Sequence, residues 1–304
     1  MSKAKVHNIK GKKDTKLKYS FKNDVLFKML FVDYPHLLKR LVAVLLGIPV
    51  ESIAKFEVIN PEMTPEEIGK KFCRLDIVLN IDGKKVNLEV QVRNEGAFPE
   101  RVMYHWARLY SSSLPAGENY AELPQTIIIS IIDFPLFNWD DVHSEFQLLE
   151  IKHHKSLSDK QAYHFYELSK LDDIDQLDLT NEKDLWLALF NAETEDELNK
   201  LVSNGGEVMT QAVEAYRSVT ATERFQSLEW LRRKTAHDEA QAIYHAKKLR
   251  DDHWQGVLSG KDAALADKDA ALADKDVTIA DQSAVIADKD AVIAKLQAQL
   301  KKRG

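Results

Sequence analysis

Cysteine is almost missing from this chain: among 304 residues only Cys73 carries a thiol. That excludes a disulfide framework and a cysteine-rich zinc centre. Cys73 opens a predicted strand, a position that fits packing better than reactivity. Long apolar runs are missing as well. The β-branched run at residues 127–132 is far too short to cross a bilayer, and the first residues lack the apolar stretch of a secretory signal. The expectation is a cytoplasmic protein with no membrane partner. Positive charge is not in excess either, since the net charge is −6, so nothing in the bulk composition advertises nucleic-acid binding.

What is present fits a globular chain, with 44% hydrophobic and 30% charged residues. The length allows one sizeable domain with an accessory region, or two domains. Charge is unevenly spread. Lys3, Lys5, Lys10, Lys12, Lys13, Lys16, Lys18 and Lys22 crowd the first segment against Asp14 alone. Such an arm can contact phosphates in a salt-sensitive way, or simply be a solvated, flexible terminus.

The most informative stretch is residues 73–93. Asp82-Gly83 is a two-residue hairpin signal, because a type I′ turn needs positive φ at both central positions. In that register Ile81 faces Lys84 and Asp76 faces Glu89. Leu75, Ile77, Leu79 and Ile81 then share an apolar face with Val86, Leu88, Val90 and Val92. Arg74, Asp76, Val78 and Asn80 share the other face with Lys85, Asn87, Glu89, Gln91 and Arg93. A one-residue slip would bury the whole polar set, so the register is well specified. Two like charges directly across a ladder are destabilising; a metal cation between them would reverse that sign. The alternative is an ordinary solvated polar face.

The rest of the chain reads as an α/β or α+β core, a mixed sheet flanked by helices. Helices are predicted over residues 20–31, over 35–46 with Gly47 as the stop, and over 99–114. Strands are predicted over 52–58, 125–132 (central), 145–151 and 164–171. Helical patterns follow over 185–192, 194–202 (opened by a Thr194/Glu197 capping box), 206–218 and 223–252. From Lys261 onward a seven-residue unit repeats, with Leu265, Leu272, Ile279, Ile286 and Ile293 in phase. A leucine a/d seam is missing, although an alanine seam through Ala263, Ala266, Ala270 and Ala273 is available. A long helix follows, with self-association of the C-terminal helices as one outcome. The expected divisions are a basic flexible arm at 1–17, a core at 18–180, a helical extension at 181–258 and a heptad-repeat helical tail at 259–304.

Three segments taken together resemble a known family: residues 21–31, Arg74-Leu75-Asp76, and Glu89-Val90-Gln91. They are similar to the Rpn family of PD-(D/E)xK nuclease-like proteins, described as recombination-promoting nucleases or transposases. Arg101 to Ser112, Gly117 to Leu123 and Ile131 to Phe137 extend the resemblance, which runs from about residue 18 to about residue 250 and leaves the repeat tail outside.

The resemblance implies a restriction-endonuclease-like core and a Mg²⁺-dependent DNA endonuclease, with Mn²⁺ or Ca²⁺ as alternatives in vitro. It makes Asp76 and Glu89 metal ligands, Gln91 the group standing where the wider superfamily has lysine, and Asp24 the acid of the first helix. Gln91 can orient a water but cannot neutralise charge; glutamine there is usual in the family. Asp24 can equally serve its helix N-terminus. Arg101, Tyr104 and Arg108 share a helix face and are candidate contacts to double-stranded DNA, with Tyr104 and Tyr110 as core aromatics the competing role. Ser113 stands where the family pattern leads one to expect glutamine.

Some relatives also make a short inhibitory C-terminal product from an internal start, for which Met209, the last methionine, is the candidate. The competing class is a non-catalytic DNA-binding or oligomeric assembly protein on a nuclease-like fold. His153-His154 and Asp172-Asp173 read as exposed loop residues, Glu167 and Lys170 as structural, and Trp230, Tyr244 and Trp254 as packing anchors.

Overall fold

The structure, a computed structural model, describes residues 15–59, 77–94, 96–114 and 117–301. It begins with helices α1 (Asp24–Asp33) and α2 (Pro35–Leu46) and strands β1 (Phe56–Val58), β2 (Ile77–Ile81) and β3 (Lys84–Gln91). Helix α3 (Phe98–Ser111) leads to β4 (Thr126–Ile132), β5 (His143–Phe146) and β6 (Gln161–Glu167). Helices α4 (Glu182–Asn191), α5 (Glu195–Ala221) and α6 (Glu223–Lys301) follow. Two compact units result, one ending at Ala236 and the other starting at His237.

In the first unit the described strands form one mixed sheet in the order β1-β2-β3-β4-β6-β5. The pairs β3/β4 and β4/β6 are parallel; the others are antiparallel. The hairpin has the expected turn, with φ of 49° at Asp82 and 85° at Gly83, and the expected register from Ile81↔Lys84 to Ile77↔Leu88. The Asp82 carboxylate also accepts from the backbone N–H groups of Lys55 (2.7 Å) and Ala54 (3.3 Å), which ties the turn to the approach to β1. Asp76 and its pairing with Glu89 lie outside the described residues, as does the arm up to residue 14.

Alternation along the strands decides which helices cover which face. Ile77, Leu79, Ile81, Val86 and Leu88 are buried in one large core with α1, α2, α4 and α5 and with Phe225 and Leu228 of α6. Each such side chain contributes about 1.5–3 kcal/mol by leaving water. The helices from residue 182 to 221 therefore share the core of the sheet. On the opposite face Phe98 and Val102 of α3 pack on Ile128, Ile132 and Phe165. That second layer corrects the solvated-face alternative for two residues: Asn87 and Glu89 are 5% and 3% exposed. Strand β4 is central and buried along its whole length, as a run of β-branched residues dictates.

Several boundaries shift for local reasons. Helix α1 starts four residues later than its apolar pattern, because the Asn23 side chain accepts from Leu26 N–H and caps it there. Residues 147–151 do not continue β5, and Leu148, Leu149 and Ile151 are exposed. Strand β6 begins earlier and ends at Glu167, beyond which residues 168–170 turn as a 3₁₀ helix. The two helical patterns at 194–218 are the two arms of α5, divided by a non-helical kink at Gly206 and opened by the expected Thr194/Glu197 capping box. Trp230, Tyr244 and Trp254 are 63%, 63% and 56% exposed, so they are not packing anchors.

The second unit continues α6 as helix through the repeat. Leu265, Leu272, Ile279, Ile286 and Ile293 are all at least half exposed there. No helix among the described residues is long and apolar enough to cross a membrane.

Candidate functional site

Strands β3 and β4 run parallel and end together, Gln91 beside Ile132, and Asp133 N–H donates to the Gln91 carbonyl (3.0 Å). Open sheets place ligands at such carboxyl ends, where side chains from several elements converge. Here the N-terminus of α1 and the first turns of α6 close around the strand ends. A cleft of about 690 Å³ results, lined by Lys22 and Asp24, Gln91 and Arg93, and Arg232 and Arg233, with Asp133 and Glu229 in its wall.

Two of the candidate catalytic residues meet in this cleft, beside Lys16, Lys18 and Lys22 of the basic segment. Asp24 is the first residue of α1, where a carboxylate complements the helix dipole. Its Oδ1 accepts from Val25 N–H (3.0 Å) and lies 3.4 Å from Arg232 Nε. Burial pushes the Asp24 carboxyl above the usual carboxylate range; Arg232 and the Val25 amide pull it back, and Glu229 adds to the rise. Gln91 reaches the cleft from the end of β3, and its Nε2 donates to the Arg93 carbonyl (3.0 Å).

Glu89 stands two residues earlier on the same face of β3. It pairs in register with Ser130 of β4, whose hydroxyl donates to Glu89 Oε1 at 2.7 Å. A carboxylate this deep must be hydrogen-bonded or matched by a cation. Its strand partner by register, Asp76, is outside the described residues.

The α3 residues sit elsewhere. The Arg101 guanidinium lies over the Phe98 ring, 4.6 Å from its centroid. Tyr104 is 60% exposed, so it is not a core aromatic, whereas Tyr110 is half-buried and stacks on Trp106. Arg108 is exposed and lines a separate groove of about 260 Å³ with Val78, Asn87 and His105. Among the described residues the α3 candidates therefore do not join Asp24 and Gln91. The Ser113 hydroxyl donates to the Leu109 carbonyl (2.6 Å) at the end of α3. Glu167, fully buried, accepts from the N–H groups of Leu136 (2.5 Å) and Phe137 (3.3 Å) and from Lys170 (2.5 Å), a structural clasp. His153, His154, Asp172 and Asp173 are exposed.

Sequence reasoning named Lys22 only as part of the basic arm and missed Asp133 and Glu229 of the cleft. Lys22 Nζ pairs with Asp133 Oδ2 at 2.8 Å and donates to Asn191 Oδ1 at 3.1 Å, both ends of the pair being largely buried. Glu229 is 2% exposed and takes four hydrogen bonds: Asn23 Nδ2 (2.9 Å), Arg232 Nε (2.7 Å) and Nη2 (2.9 Å), and Arg233 Nε (2.7 Å). Burial raises its pKa most, yet the bonds from Arg232, Asn23 and Arg233 outweigh it and hold the carboxyl below its usual range. Lys28, one turn along α1 from Asp24, is only 4% exposed, a rare place for an ammonium. Two signals for these residues were available: an acid directly after a buried strand (Asp133), and the i, i+3, i+4 spacing of Glu229, Arg232 and Arg233.

Compared with known proteins, residues 21–246 match a family model described as PD-(D/E)XK nuclease family transposase. No curated protein and no solved structure matches the chain.

Proposed function

Because the chain belongs to the PD-(D/E)XK nuclease family transposases, we propose that it is a Mg²⁺-dependent endonuclease hydrolysing phosphodiester bonds of double-stranded DNA, in recombination, mobile-element movement or phage defence. The observation that carries this reading is the convergence of Asp24 from α1 and Gln91 from β3 on one cleft, with buried Glu89 two residues behind Gln91. The register read from the sequence pairs Asp76 with Glu89, and a cation between two such carboxylates is favourable.

The donor set suits the metal. Mg²⁺ takes hard oxygen ligands and keeps several waters, and two carboxylates, Asp76 and Glu89, are the oxygen donors that would hold it. When bound, such an ion polarises a phosphoryl oxygen and lowers the pKa of a water.

The chain's own groups do the rest. Gln91 presents an amide that orients a water or a phosphate oxygen without adding charge. Asp24, 3.4 Å from Arg232 Nε, offers an acceptor in the cleft. Arg101, Tyr104 and Arg108 are assigned to more distant contacts with the duplex along α3. Hydrolysis forms a new P–O bond from water and breaks the scissile one, the departing oxygen taking up a proton.

Plasmid nicking with Mg²⁺, Mn²⁺ or EDTA tests this, comparing wild type with Asp76→Ala and Glu89→Ala. Metal-dependent nicking that both substitutions abolish is expected. Binding without cleavage in every condition would instead favour a non-catalytic DNA-binding or assembly protein. The exposed leucine and isoleucine repeat supports self-association through the C-terminal helices. Met209 is buried in α5, so an inhibitory product starting there would begin with residues that pack on the core in the full-length chain. A cytoplasmic location completes the reading.

A further inference from the structure

Glu229 accounts for a feature of the cleft that the metal chemistry leaves unused. Its carboxylate is saturated by four donors and holds two neighbouring guanidinium groups, Arg232 and Arg233, together with the capping residue of α1. A buried anion so fully satisfied is a fixed post: it removes side-chain freedom from both arginines before any ligand arrives. Arg232 presents two nitrogens to Glu229, whereas Arg233 gives it only Nε. Arginine carries five N–H donors in a planar fork, so most of those on Arg233 are uncommitted to Glu229. The Arg233 side chain is 62% exposed and its guanidinium lies 5.7 Å from the Tyr19 ring centroid. A cation held at its inner edge and open at its outer one is shaped to receive a planar or tetrahedral oxyanion bidentately.

The charge around it points the same way. Among the described residues six basic side chains and four carboxylates line the cleft. Glu229 is consumed by its own arginines and Asp133 by Lys22. Glu193, the fourth carboxylate, lies 3.9 Å from Lys16, so the cations of the lining outnumber its carboxylates by two, with Arg93 of the β3 end lining the cleft together with the arginine pair.

We propose that Arg233, clamped with Arg232 on Glu229, is a binding site for a DNA backbone phosphate next to Asp24. This rests on the reading of the cleft as the side of the protein that meets DNA. Arg233 makes the contact. Glu229 and Arg232 are positioning residues, Glu229 fixing both guanidiniums and Arg232 standing 3.4 Å from the Asp24 carboxylate. The first turns of α6 are thereby part of the substrate site.

The test is binding of the full-length chain to a short fluorescent duplex of mixed sequence, in EDTA so that no cleavage occurs, over a series of salt concentrations. A phosphate contact contributes about 0.9 to the slope of log affinity against log salt. Arg233→Ala is expected to lower the slope by about that amount and to weaken binding about tenfold, the value of a charge-assisted bond. Arg233→Lys restores the slope but only part of the affinity, since an ammonium keeps the charge and loses the fork. Arg250→Ala, an exposed arginine of the second unit paired with Asp251, leaves both unchanged. Arg233→Ala with wild-type slope and affinity overturns the proposal, as does a wild-type protein whose binding ignores salt. The two readings fail separately. Nicking that survives with Arg233→Ala indistinguishable from wild type removes the phosphate site alone. Altered binding without any nicking keeps the phosphate site and removes the endonuclease.

Discussion

Glu89 and Ser130 face each other across the parallel β3/β4 pair, and the serine hydroxyl donates to the carboxylate at 2.7 Å with both residues buried. Glu89 Oε1 is thus held in one direction by the central strand of the sheet. Ser130→Ala removes a donor from a buried carboxylate and leaves its desolvation in place. A loss of about 1–3 kcal/mol in chemical denaturation is expected, together with weaker protection by Mg²⁺ against unfolding. A stability change smaller than about 0.5 kcal/mol, the size of an ordinary surface substitution, would contradict this.

Glu229 and Asn23 are coupled across the fold. Asn23 caps α1 through its Oδ1 while its Nδ2 donates to Glu229. Asn23→Ala loses the cap, about 1 kcal/mol. Glu229→Ala loses the acceptor of four bonds, and about 3–5 kcal/mol is the scale for removing one side of a buried ion pair, reduced here because both arginines can turn to solvent. The double variant is expected to cost less than the sum of the two single ones, by at least about 0.5 kcal/mol. Strict additivity in urea denaturation would show that the Asn23–Glu229 bond does not couple α1 to α6.

Gly206 kinks α5 with φ 58° and ψ −143°, a region that side-chain-bearing residues avoid. No atom lies within 4 Å of a Cβ built there, so the obstacle is the backbone conformation and not space. Gly206→Ala is expected to destabilise by about 1–3 kcal/mol, visible as a lower thermal midpoint. Gly205→Ala meets Met209, whose Cγ would sit 2.1 Å from the new Cβ, and gives a loss of its own by displacing a core side chain. An unchanged midpoint for Gly206→Ala would mean that α5 straightens without cost.

The hairpin was legible in the sequence because period-two alternation and a two-residue turn act within twenty residues, and both are set by local sterics. The register from Ile81↔Lys84 onward followed from them. The shared polar face of Glu89 and Gln91 was legible for the same reason, whereas the site role of Gln91 came from the resemblance. Burial of Glu89 was not, because it depends on α3 lying over the face, a contact between segments that no local pattern encodes. Glu229 and its arginines were illegible for a similar reason. On a helix whose surface is mostly polar, a Glu with Arg three and four residues on reads as a solvated ion-pair ladder until Asn23 is brought against it. Residues 147–151 misled in the other direction: their apolar content suited a strand, but among the described residues their only ladder contact is an isolated bridge, Leu149↔Ser156.

His143 and His164 predict a stability that falls in mild acid. The two rings lie parallel, His143 Nε2 is 3.1 Å from His164 Nδ1, and His143 also stacks on Tyr166 with centroids 4.4 Å apart. One nitrogen of the bond must accept, so the two histidines cannot both carry a second proton while it persists. Burial lowers the His143 pKa to about 4, with the charges of His164 and of Lys183 on α4 acting in the same direction and Glu145 opposing. Burial also lowers that of His164. A histidine whose folded pKa lies below its unfolded value binds protons more readily when unfolded, so stability rises with pH through this interval. For His143 the penalty starts near its ordinary pKa of 6.5 and is complete below about 4. Integrated over that window it amounts to at most about 3 kcal/mol, less where solvent screens the ring. Carboxylates of the unfolded chain also begin to take up protons toward the acid end of this window, so the informative quantity is the difference between wild type and His143→Gln. Between neutral pH and about pH 4.5 the variant is expected to lose less stability than wild type by about 1–2 kcal/mol. Parallel pH profiles for the two proteins would show that the stacked pair does not set the acid limit of the fold.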